Sequence, residues 1–581
     1  MKTVIAAINS KYIHSSLAVW YLKANCSPDC GQVEVSEYTI NDSIDNILVS
    51  LYEKQADVIA FSCYIWNYEM VLKLSASIMK VCPQTLIVLG GPEVSYNSAE
   101  ILENNSDIDF IISGEGEEAL NNLLCSLNLQ RKALFDNIEG LYYRYKGQIK
   151  GLGGFSLVTN LEAVNSPYTE EMLGSIGTRI IYFESSRGCP FSCSYCISST
   201  FEGVRYFPME RVKSELKRLI DKGIKQIKFV DRTFNSHKQR AKEIFEFVIE
   251  NSVETGFHFE VAADLFNEEM FKVLSKAPKG LIQFEIGVQT INADTLNAIN
   301  RKTDLTLVFK NVTRLIEMEL FHIHLDLIAG LPKEDYESFK NSFNSVYRLK
   351  PHNLQLGFLK MLKGSRILCN ADIEGYKYRE YAPYEVLENN YIKFDMLCEL
   401  KRVEEVLERY YNQGRFSKTL DYIIANLFNT PYEFYSSFMK YNFENGYLNR
   451  PLASRELYDV LYGFLVQNVD QENHLYLENL MKLDFLLSDN STNLPKCLSR
   501  TFEEDFKFKC LEFLKRPENI SKYLPSYAGL SPVQIYKHIH FEAFEYDMTA
   551  DMIVNARYEV LIDYGKRDKV TGLYEYYPVK L

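Results

Sequence analysis

Three cysteines near the middle of the chain form its most informative chemical pattern. Cys189, Cys193 and Cys196 follow a C-x3-C-x2-C spacing within one short loop. Iron–sulfur clusters are held by cysteine thiolates at such short spacings, usually by four of them. A loop with three cysteines and no fourth nearby therefore predicts a 4Fe-4S cluster in which one iron keeps a vacant coordination position. A substrate can occupy that position.

Two other uses of these cysteines fit the sequence less well. A structural zinc site is closed by four protein ligands, and the nearest downstream histidine, His237, is far from the loop in sequence. A disulfide would leave one of the three thiols unpaired, and the chain shows no secretory signal. The spacing therefore favours the cluster.

The cysteine loop resembles the signature of the radical S-adenosylmethionine (SAM) superfamily, in which an aromatic residue precedes the third cysteine, as Tyr195 does here. The resemblance implies that the open iron chelates the amino and carboxylate groups of SAM. One electron from the cluster then cleaves SAM to methionine and a 5'-deoxyadenosyl radical, and Tyr195 lies near the adenine. It also implies an external one-electron donor such as flavodoxin or ferredoxin.

Alternating strand and helix patterns surround this loop and predict an open, partial (β/α)6 barrel of the TIM type over residues 179–368. The predicted strands cover residues 179–184, 226–230, 258–262, 282–288, 322–328 and 353–358. The active site of such a barrel lies at the carboxyl ends of its strands. The first of these strands leads directly into the cysteine loop, so the cluster should lie at that rim.

Polar residues stand in or after three of the predicted barrel strands. The segments around Asp231, around Glu285 and Gln289, and around Asp326 resemble radical SAM barrels, whose fourth strand reads E-x-G-x-Q-[ST] before I-N-R and whose fifth reads D-x-I-x-G-L-P. The resemblance implies that these four residues contact SAM, although strand-end caps and surface turns remain the alternative for the two aspartates. Because apolar residues flank Glu285, its carboxylate must face a polar cavity or be paired. We expect it to be catalytic as well.

The first 127 residues predict a doubly wound, Rossmann-like (flavodoxin-like) domain. Apolar strands at residues 3–8, 58–62, 85–90 and 110–113 alternate with amphipathic helices, as in a parallel sheet. Ligands bind such sheets at the carboxyl ends of the strands, where Ser62 and two glycine-rich loops fall. No G-x-G-x-x-G follows the first strand, which disfavours a dinucleotide site.

The order of these strand ends resembles the cobalamin-binding domain that precedes many radical SAM domains. Cobalamin domains that supply a histidine ligand to cobalt carry D-x-H-x-x-G, whereas His14 here lacks the preceding Asp and the following Gly. His14 is therefore a candidate ligand, with a plain hydrogen-bonding role as the alternative. The other residues that the resemblance assigns to cobalamin are Ser62, Gly90, Gly91, Glu93, Gly114, Glu115, Gly116 and Glu117.

The rest of the chain shows fewer motifs. Residues 128–178 are predicted to be a polar linker. Residues 369–581 are rich in Tyr and Phe at helical spacing, and they end in period-two stretches at 557–563 and 572–577 that predict a β-hairpin. This mostly helical region resembles the uncharacterised C-terminal extension of a bacterial subgroup of cobalamin-type radical SAM proteins, and it shows no catalytic motif.

Length and composition set the outer bounds. A chain of 581 residues with 46% hydrophobic and 24% charged residues is expected to fold into several domains. A net charge of −13 disfavours bulk nucleic-acid binding. No long apolar segment predicts a membrane anchor, and the twelve cysteines lack the dense pairing of an exported protein. We therefore expect a cytoplasmic protein.

The resemblances to the radical SAM superfamily and to cobalamin-binding domains together imply a cobalamin-dependent radical SAM enzyme. We expect it to methylate an unactivated carbon of a small-molecule or natural-product-like substrate. Radical chemistry without methylation, such as rearrangement or ring formation, is the first alternative. A methylthiotransferase-like enzyme is the second, and it would need a second set of three cysteines, whereas the first strand ends without one. A binding protein without catalysis is the third.

Overall fold

A computed structural model describes residues 1–130, 132–201, 203–491, 493–500, 504–548 and 554–581. These residues form three successive regions that share a continuous hydrophobic core. It runs from Ile5 in the first sheet through Phe284 in the barrel to Tyr458 in the C-terminal helices. The opposite face of the first sheet has a separate core.

The first region is a sheet with helices on both faces. Its elements are β1 (Lys2–Asn9), α1 (Leu17–Ala24), β2 (Gln32–Thr39), α2 (Ile44–Glu53), β3 (Val58–Ser62), α3 (Tyr68–Val81), β4 (Leu86–Gly90), α4 (Ser98–Asn104), β5 (Phe110–Ile112), α5 (Glu117–Asn128), β6 (Leu141–Tyr145) and β7 (Gln148–Gly151). The strand order is β2-β1-β3-β4-β5-β6-β7, and β1 to β5 run parallel. Because both faces are covered, the central strands are unbroken apolar runs.

Three strands of this sheet were not predicted. β2 alternates polar and apolar residues and lies at the edge of the sheet, where it pairs with β1. β6 and β7 fall within the segment predicted to be a linker, and they extend the sheet in antiparallel fashion beyond β5. Arg131 of that segment lies outside the described residues. The sheet of the first region therefore extends to Gly151, beyond the boundary predicted at residue 127.

The second region is an open barrel of parallel strands. Its elements are α6 (Glu170–Ile176), β8 (Ile181–Phe183), β9 (Ser186–Cys189), β10 (Gly203–Tyr206), α7 (Met209–Asp221), β11 (Gln226–Phe229), α8 (Lys238–Asn251), β12 (Gly256–Glu260), α9 (Glu268–Leu274), β13 (Ile282–Gln289), α10 (Ala293–Ala298), α11 (Leu305–Glu317), β14 (His322–Ala329), α12 (Tyr336–Tyr347) and β15 (Asn353–Phe358). The strand order is β15-β14-β13-β12-β11-β8. In β13 and β14 buried residues alternate with partly exposed ones, so one face packs under the helices and the other lines the barrel interior.

A small antiparallel hairpin, β9 with β10, carries the cysteine loop at the barrel rim. Gly188 in β9 has φ +97°, and a Cβ there would lie 2.3 Å from the carbonyl oxygen of Gly203. Only glycine fits this close approach of the two strands. The residue before the first cysteine is thus fixed by the backbone of the hairpin.

The third region is mostly helical and ends in a small antiparallel sheet. Its elements are β16 (Lys377–Tyr378), β17 (Val386–Glu388), α13 (Phe394–Leu407), α14 (Ser417–Asn426), α15 (Pro431–Glu444), α16 (Ser454–Asn468), α17 (His474–Ser488), α18 (Phe506–Leu514), α19 (Pro517–Tyr523), α20 (Pro532–Ile535), β18 (Ile539–Tyr546), β19 (Asn555–Arg567) and β20 (Tyr574–Val579). β19 and β20 contain the predicted hairpin, and β18 pairs with β19. The predicted fold class is confirmed. In the described parts of the chain, no helix is both long and apolar enough to cross a membrane.

Ion pairs join the first region to the hairpin. Arg187 in β9 contacts Glu117 at 2.6 Å and Glu184 at 3.0 Å, and it lies 3.5 Å from Glu115. Arg205 in β10 binds Glu115 at 2.6 Å. Most of these side chains are largely withdrawn from water, so each charge depends on its partner. The position of the hairpin is therefore tied to the strand ends of the first sheet.

A second link joins the first region to the segment after the barrel. Glu93 is buried, and its carboxylate lies 2.9 Å from Nζ of Lys363 and accepts a hydrogen bond of 2.5 Å from the hydroxyl of Tyr384. Next to it, a Cβ on Gly364 would lie 2.1 Å from the ring of Tyr96. The chain that enters the third region thus packs directly on the first.

A buried carboxyl group lies at the rim of the barrel. Glu334 is 1% exposed, and its Oε1 accepts hydrogen bonds from Thr290 at 2.5 Å and from Ser342 at 3.1 Å. Its Oε2 has no hydrogen-bond partner among the described residues. Burial raises the pKa of Glu334 to about 7, although the two hydroxyl donors act to lower it.

Glu334→Gln is expected to change the pH dependence of stability. Because the folded pKa exceeds the ordinary value, the stability supplied by protonated Glu334 is lost as the pH rises towards 7 and beyond. The variant should be more stable than the wild type by about 3 kcal/mol at pH 8 and by about 1 kcal/mol or less at pH 5. Urea unfolding at both pH values measures this. Glu337→Gln, at an exposed neighbour, is the control, and an equal gain at both pH values would contradict the argument.

Removing the central arginine of the interdomain ion pairs should destabilise the protein. Arg187→Ala leaves Glu117 and Glu184 buried without their cation, which costs about 3 kcal/mol. Lys225→Ala is the control, because Lys225 and Glu254 form a pair in which both side chains are more than three-quarters exposed, and such pairs contribute about 1 kcal/mol or less. Urea unfolding of metal-free protein compares the two. Equal effects would show that the interdomain pairs do not hold the regions together.

Candidate functional site

A cavity of about 710 Å³ lies between the first sheet and the barrel. One side is formed by the carboxyl ends of β3, β4 and β5, and the other by β8, by the hairpin and by the residues that follow β11. Its walls combine apolar side chains with backbone turns. Parallel sheets bind ligands at this edge, so the cavity is the candidate site.

Tight turns bring the backbone of the first sheet up to this cavity. Gly91 has φ +105°, and a Cβ on it would lie 2.6 Å from the carbonyl oxygen of Cys63. Gly114 has φ +94°, and its Cβ would lie 2.3 Å from that of Ser156. Side chains are excluded at both positions, which leaves room for a ligand. The predicted cobalamin residues that line the cavity are His14, Ser62, Gly90, Gly91, Gly114, Glu115, Gly116 and Glu117.

Three carboxylates that are predicted to contact cobalamin are paired with protein groups in the structure. Glu115 and Glu117 reach the cavity, but their carboxylates bind Arg205 and Arg187. Glu93 is buried against the chain that leaves the barrel, and the described lining of the cavity does not include it. These side chains hold the walls of the cavity in place, and a direct contact with cobalamin stays a prediction.

His14 lies where the loop after β1 meets the barrel. Its Nδ1 is 2.8 Å from the hydroxyl of Tyr182 in β8, and the backbone of the loop pairs with Ile180. Burial lowers the pKa of His14, so the neutral ring dominates at pH 7. The hydrogen bond to Tyr182 fixes the ring at the cavity wall, and ligation of cobalt stays a prediction.

Ser62 presents an unused polar group to the cavity. It ends β3 and is buried, and among the described residues its Oγ has no hydrogen-bond partner. Buried hydroxyls without a partner are rare in folded proteins. A ligand with amide groups along its edge, as cobalamin has, can supply that partner, so the residues present fit the predicted cofactor.

The cysteine loop borders the same cavity. Gly188 and Ile197, the neighbours of Cys189 and Cys196, are among the lining residues. The pKa of Cys193 is raised by burial, and Arg301 opposes that effect while the two other cysteines add to it. The three thiols are thus close enough to interact. Among the described residues, no group of three or more His, Cys, Asp or Glu side chains is arranged to hold a single metal ion.

The loop is held by the I-N-R segment that follows β13. Ser194 donates its backbone N–H to the carbonyl of Ile299 at 2.8 Å. Asn300 donates to the backbone carbonyl and to Oγ of Ser192, at 3.1 and 2.7 Å. The sequence showed this segment as a motif, but its contact with the cysteine loop became visible only in the fold.

Arg301 links the loop to the fourth barrel strand. Its guanidinium donates to Sγ of Cys193 at 3.8 Å, to the hydroxyl of Tyr195 at 3.2 Å and to the carbonyl of Gly287 at 2.5 Å. A cation beside the thiolates offsets part of the negative charge that a cluster brings to a buried loop. Sequence reasoning did not include Arg301 among the site residues.

Asp231 supports the approach to the loop. It is 1% exposed, and its carboxylate accepts hydrogen bonds from Ser185 through its backbone N–H at 2.9 Å and its hydroxyl at 2.6 Å, and from the hydroxyl of Ser186 at 2.5 Å. Burial raises its pKa, and the serine donors oppose that change. Asp231 thus fixes the stretch between β8 and β9, and its predicted contact with SAM stays a prediction.

Glu285 lies in a charged network inside the barrel. Its Oε2 is 2.8 Å from Nε2 of His258 and 3.1 Å from Nζ of Lys228. Burial acts to raise its pKa, but the hydrogen bond from His258 and the charge of Lys228 lower the pKa to about 2. The carboxylate is therefore ionised at neutral pH and paired, as the sequence argument required.

Two further predicted residues lie on the neighbouring strands. Asp326 is 3.1 Å from Nε2 of His324 on the same strand, and burial raises its pKa. Gln289 ends β13 with φ +72°, and its Oε1 is buried without a hydrogen-bond partner among the described residues. A strained backbone with an unused acceptor is typical of a binding position. Gln289 thus fits its predicted contact with SAM.

One cation at the cavity was missed by the sequence analysis. Arg232 follows Asp231, lines the cavity and is exposed there. Its positive charge opposes the effect of burial on Glu260, whose pKa burial raises. An arginine that lines a cavity is suited to an anionic ligand. Its sequence signal was only its place after the second barrel strand.

Comparison with protein families agrees with the three regions. The model of the B12 binding domain matches residues 3–124, and that of the radical SAM superfamily matches residues 183–346. A third model, a protein of unknown function (DUF4080), matches residues 374–562. The family models support the predicted pairing of cobalamin and SAM chemistry, and they give the C-terminal region a family of its own.

Several relatives named as methyltransferases or methylases resemble part of this chain. The chain is 25% identical over 339 residues to the 2-(S-pantetheinyl)-carbapenam-3-carboxylate methyltransferase of Streptantibioticus cattleyicolor, and 26% identical over 341 residues to the cobalamin-dependent radical SAM methyltransferase TokK of Streptomyces tokunonensis. Each match covers 56% of this chain and 50% of the relative. The hopanoid C-3 methylase of Methylococcus capsulatus is 28% identical over 297 residues, 49% of this chain and 55% of that protein. The chain thus matches about half the length of these relatives.

Solved structures share the fold. TsrM from Kitasatospora setae, with cobalamin and a 4Fe-4S cluster bound, has a TM-score of 0.53 at 14% identity and covers 66% of this chain and 78% of its own. OxsB, with aqua-cobalamin and SAM bound, has a TM-score of 0.57 at 16% identity over 87% and 82%. The chain thus shares the fold of these two structures. In chain order, its regions match the models of the B12 binding domain, the radical SAM superfamily and a domain of unknown function.

Proposed function

We propose that this protein is a cobalamin-dependent radical SAM methyltransferase that acts on a small-molecule substrate. One observation carries the proposal: the carboxyl ends of the first sheet and the neighbours of Cys189 and Cys196 line the same cavity. Cobalamin bound at the sheet would therefore lie directly beside a cluster bound at the loop. Relatives named as methyltransferases match 56% of this chain, and separate family models match the two regions, which supports this assignment.

The residues that would hold the cofactors follow from the site. Cys189, Cys193 and Cys196 would hold the cluster, with Arg301 against the sulfur of Cys193. Gln289 offers an unused acceptor to SAM, and Ser62 offers an unused hydroxyl to cobalamin. When bound, the cluster and SAM supply a radical that takes a hydrogen atom from an unactivated carbon, and methylcobalamin supplies the methyl group.

The remaining side chains position the reactants and exclude water. The ion pairs of Arg187 and Arg205 join the sheet to the hairpin along one side of the cavity, which holds the two binding surfaces in a fixed arrangement. The polar barrel interior around Lys228 and Glu285 suits a substrate with hydrogen-bonding groups. The reducing electron would come from a flavodoxin or a ferredoxin. TsrM has been solved with tryptophan as its substrate, a small molecule of the kind proposed here.

Removing the cysteine ligands should abolish the cluster. Cys189→Ala, Cys193→Ala and Cys196→Ala are each expected to lose iron and the ability to form 5'-deoxyadenosine from SAM, because three thiolates are the minimum for such a cluster. Cys369→Ala, at an exposed cysteine outside the loop, should keep both. Iron analysis and chromatography of anaerobic reactions measure these quantities. Retention of iron and of SAM cleavage in the three variants would refute the proposal.

Ser62→Ala should weaken cobalamin binding without destabilising the fold. The variant removes a buried hydroxyl that lacks a partner in the described structure, so stability should not fall. If cobalamin supplies that partner, its dissociation constant should rise about fivefold, for a lost hydrogen bond of about 1 kcal/mol. Absorbance titration of anaerobic protein measures this. Ser77→Ala, at a partly exposed helical serine whose hydroxyl donates to the carbonyl of Lys73, is the control.

Two results would contradict parts of the proposal. Failure of the wild-type protein to take up cobalamin would remove the methyltransferase proposal while leaving the SAM chemistry intact. Formation of 5'-deoxyadenosine with methyl-labelled SAM, but without label in any product, would favour the non-methylating alternative.

A further inference from the structure

Three thiols converge in the first region, away from the cavity. Cys26 and Cys30 lie in the connection between α1 and β2, and Cys125 lies in α5. This connection leads into the amino end of β2, which runs parallel to β1, so it lies at the opposite edge of the sheet from the cavity. Sγ of Cys30 is 3.4 Å from Sγ of Cys125, and Sγ of Cys26 donates to the carbonyl of Leu22 at 3.3 Å.

The surroundings of these thiols are polar. Oγ of Ser27 lies 3.3 Å from Sγ of Cys125, and Oδ1 of Asn121 lies 3.3 Å from Sγ of Cys30. Asn121 also accepts a hydrogen bond from the backbone of Ser27 at 2.9 Å, which fixes its side chain. These polar groups surround the pair of sulfur atoms, whereas an ordinary core cysteine has apolar neighbours.

The environment favours the thiolate of Cys30. The neighbouring thiol of Cys26 lowers the pKa of Cys30 to about 6; burial opposes this change, and the contacts with Cys125 and Ser27 assist it. Cys30 is 0% exposed, whereas Cys26 and Cys125 are partly exposed. The buried sulfur of Cys30, which has the lower pKa, thus contacts Cys125, a cysteine that is partly exposed to solvent.

The proposed function does not use these three thiols, because they lie at the opposite end of the sheet from the cavity. The contact between two sulfur atoms is therefore the feature to explain.

We propose that Cys30 and Cys125 are a redox-active dithiol, which closes to an intramolecular disulfide by exchange with a low-molecular-weight disulfide such as oxidised glutathione. Cys125 attacks the reagent, forms a mixed disulfide and releases one thiol. Cys30 then attacks Sγ of Cys125, the Cys30–Cys125 bond forms, and the second thiol leaves. The dithiol loses two electrons, the reagent gains them, and the two thiol protons pass to the released thiols.

The geometry makes the second step short. A disulfide bond is about 2.05 Å long, so the two sulfur atoms must approach by about 1.4 Å from van der Waals contact. The first step is the slower one, because burial raises the pKa of Cys125 and leaves little thiolate. The mixed disulfide should therefore not accumulate.

The test uses the full chain, purified without oxygen and with its cluster in place. The protein is incubated with oxidised glutathione, free thiols are blocked with N-ethylmaleimide under denaturing conditions, and peptides are mapped by mass spectrometry. A cross-linked peptide pair containing Cys30 and Cys125, which dithiothreitol separates, is expected. Cys63, a fully buried thiol of the same region, should remain completely alkylated. Because the readout involves no SAM chemistry, it is independent of the proposed function.

Variants make the assignment specific. Cys125→Ser should abolish the bridge, whereas Cys26→Ser and Cys82→Ser should retain it; Cys82 is a partly exposed cysteine of the same region that serves as the control. The proposal is overturned if Cys30 and Cys125 remain alkylated after treatment, if the bridge joins Cys26 to Cys30, or if glutathione stays attached to Cys125 as the end product.

Discussion

The ion pairs between the first sheet and the hairpin are the interaction on which the site depends. Arg187 stands two residues before Cys189, and its partner Glu117 begins α5 immediately beyond a strand end of the sheet. Taking these charges out of water costs several kcal/mol for each ion, so the arrangement is stable only when the partners meet in good geometry. That requirement fixes the distance between the wall that faces one cofactor and the loop that faces the other.

The sequence was most informative where one segment carries its whole signal. The cysteine loop, the apolar strands and the βα alternation of the barrel are local patterns, and the structure has strands where these patterns predict them. β2 was missed because the consecutive polar residues Ser36 and Glu37 interrupt its alternation of polar and apolar residues, which weakens the strand signal. β6 and β7 were missed because they are short and lie among glycine turns that indicated a linker.

The site was less predictable because its side chains act through partners that are distant in sequence. Asp231 and Glu117 were found as polar residues at strand ends, but nothing near them shows that the first binds serines and the second an arginine. Arg301 belongs to the I-N-R motif, but its contact with Cys193 depends on how the barrel folds around the cysteine loop. The sequence could predict which polar residues lie at strand ends, but it could not predict which partner each side chain contacts.

The contact of Glu93 with Lys363 and Tyr384 has a consequence for how such chains diversify. Glu93 is buried and is held by Lys363 and Tyr384 from another region. Replacing any one of the three would leave a charge or a hydroxyl without its partner. Substitutions at these three positions should therefore be inherited together. A lineage that exchanged its C-terminal domain for another would also need substitutions in the loop after β4, which carries Glu93.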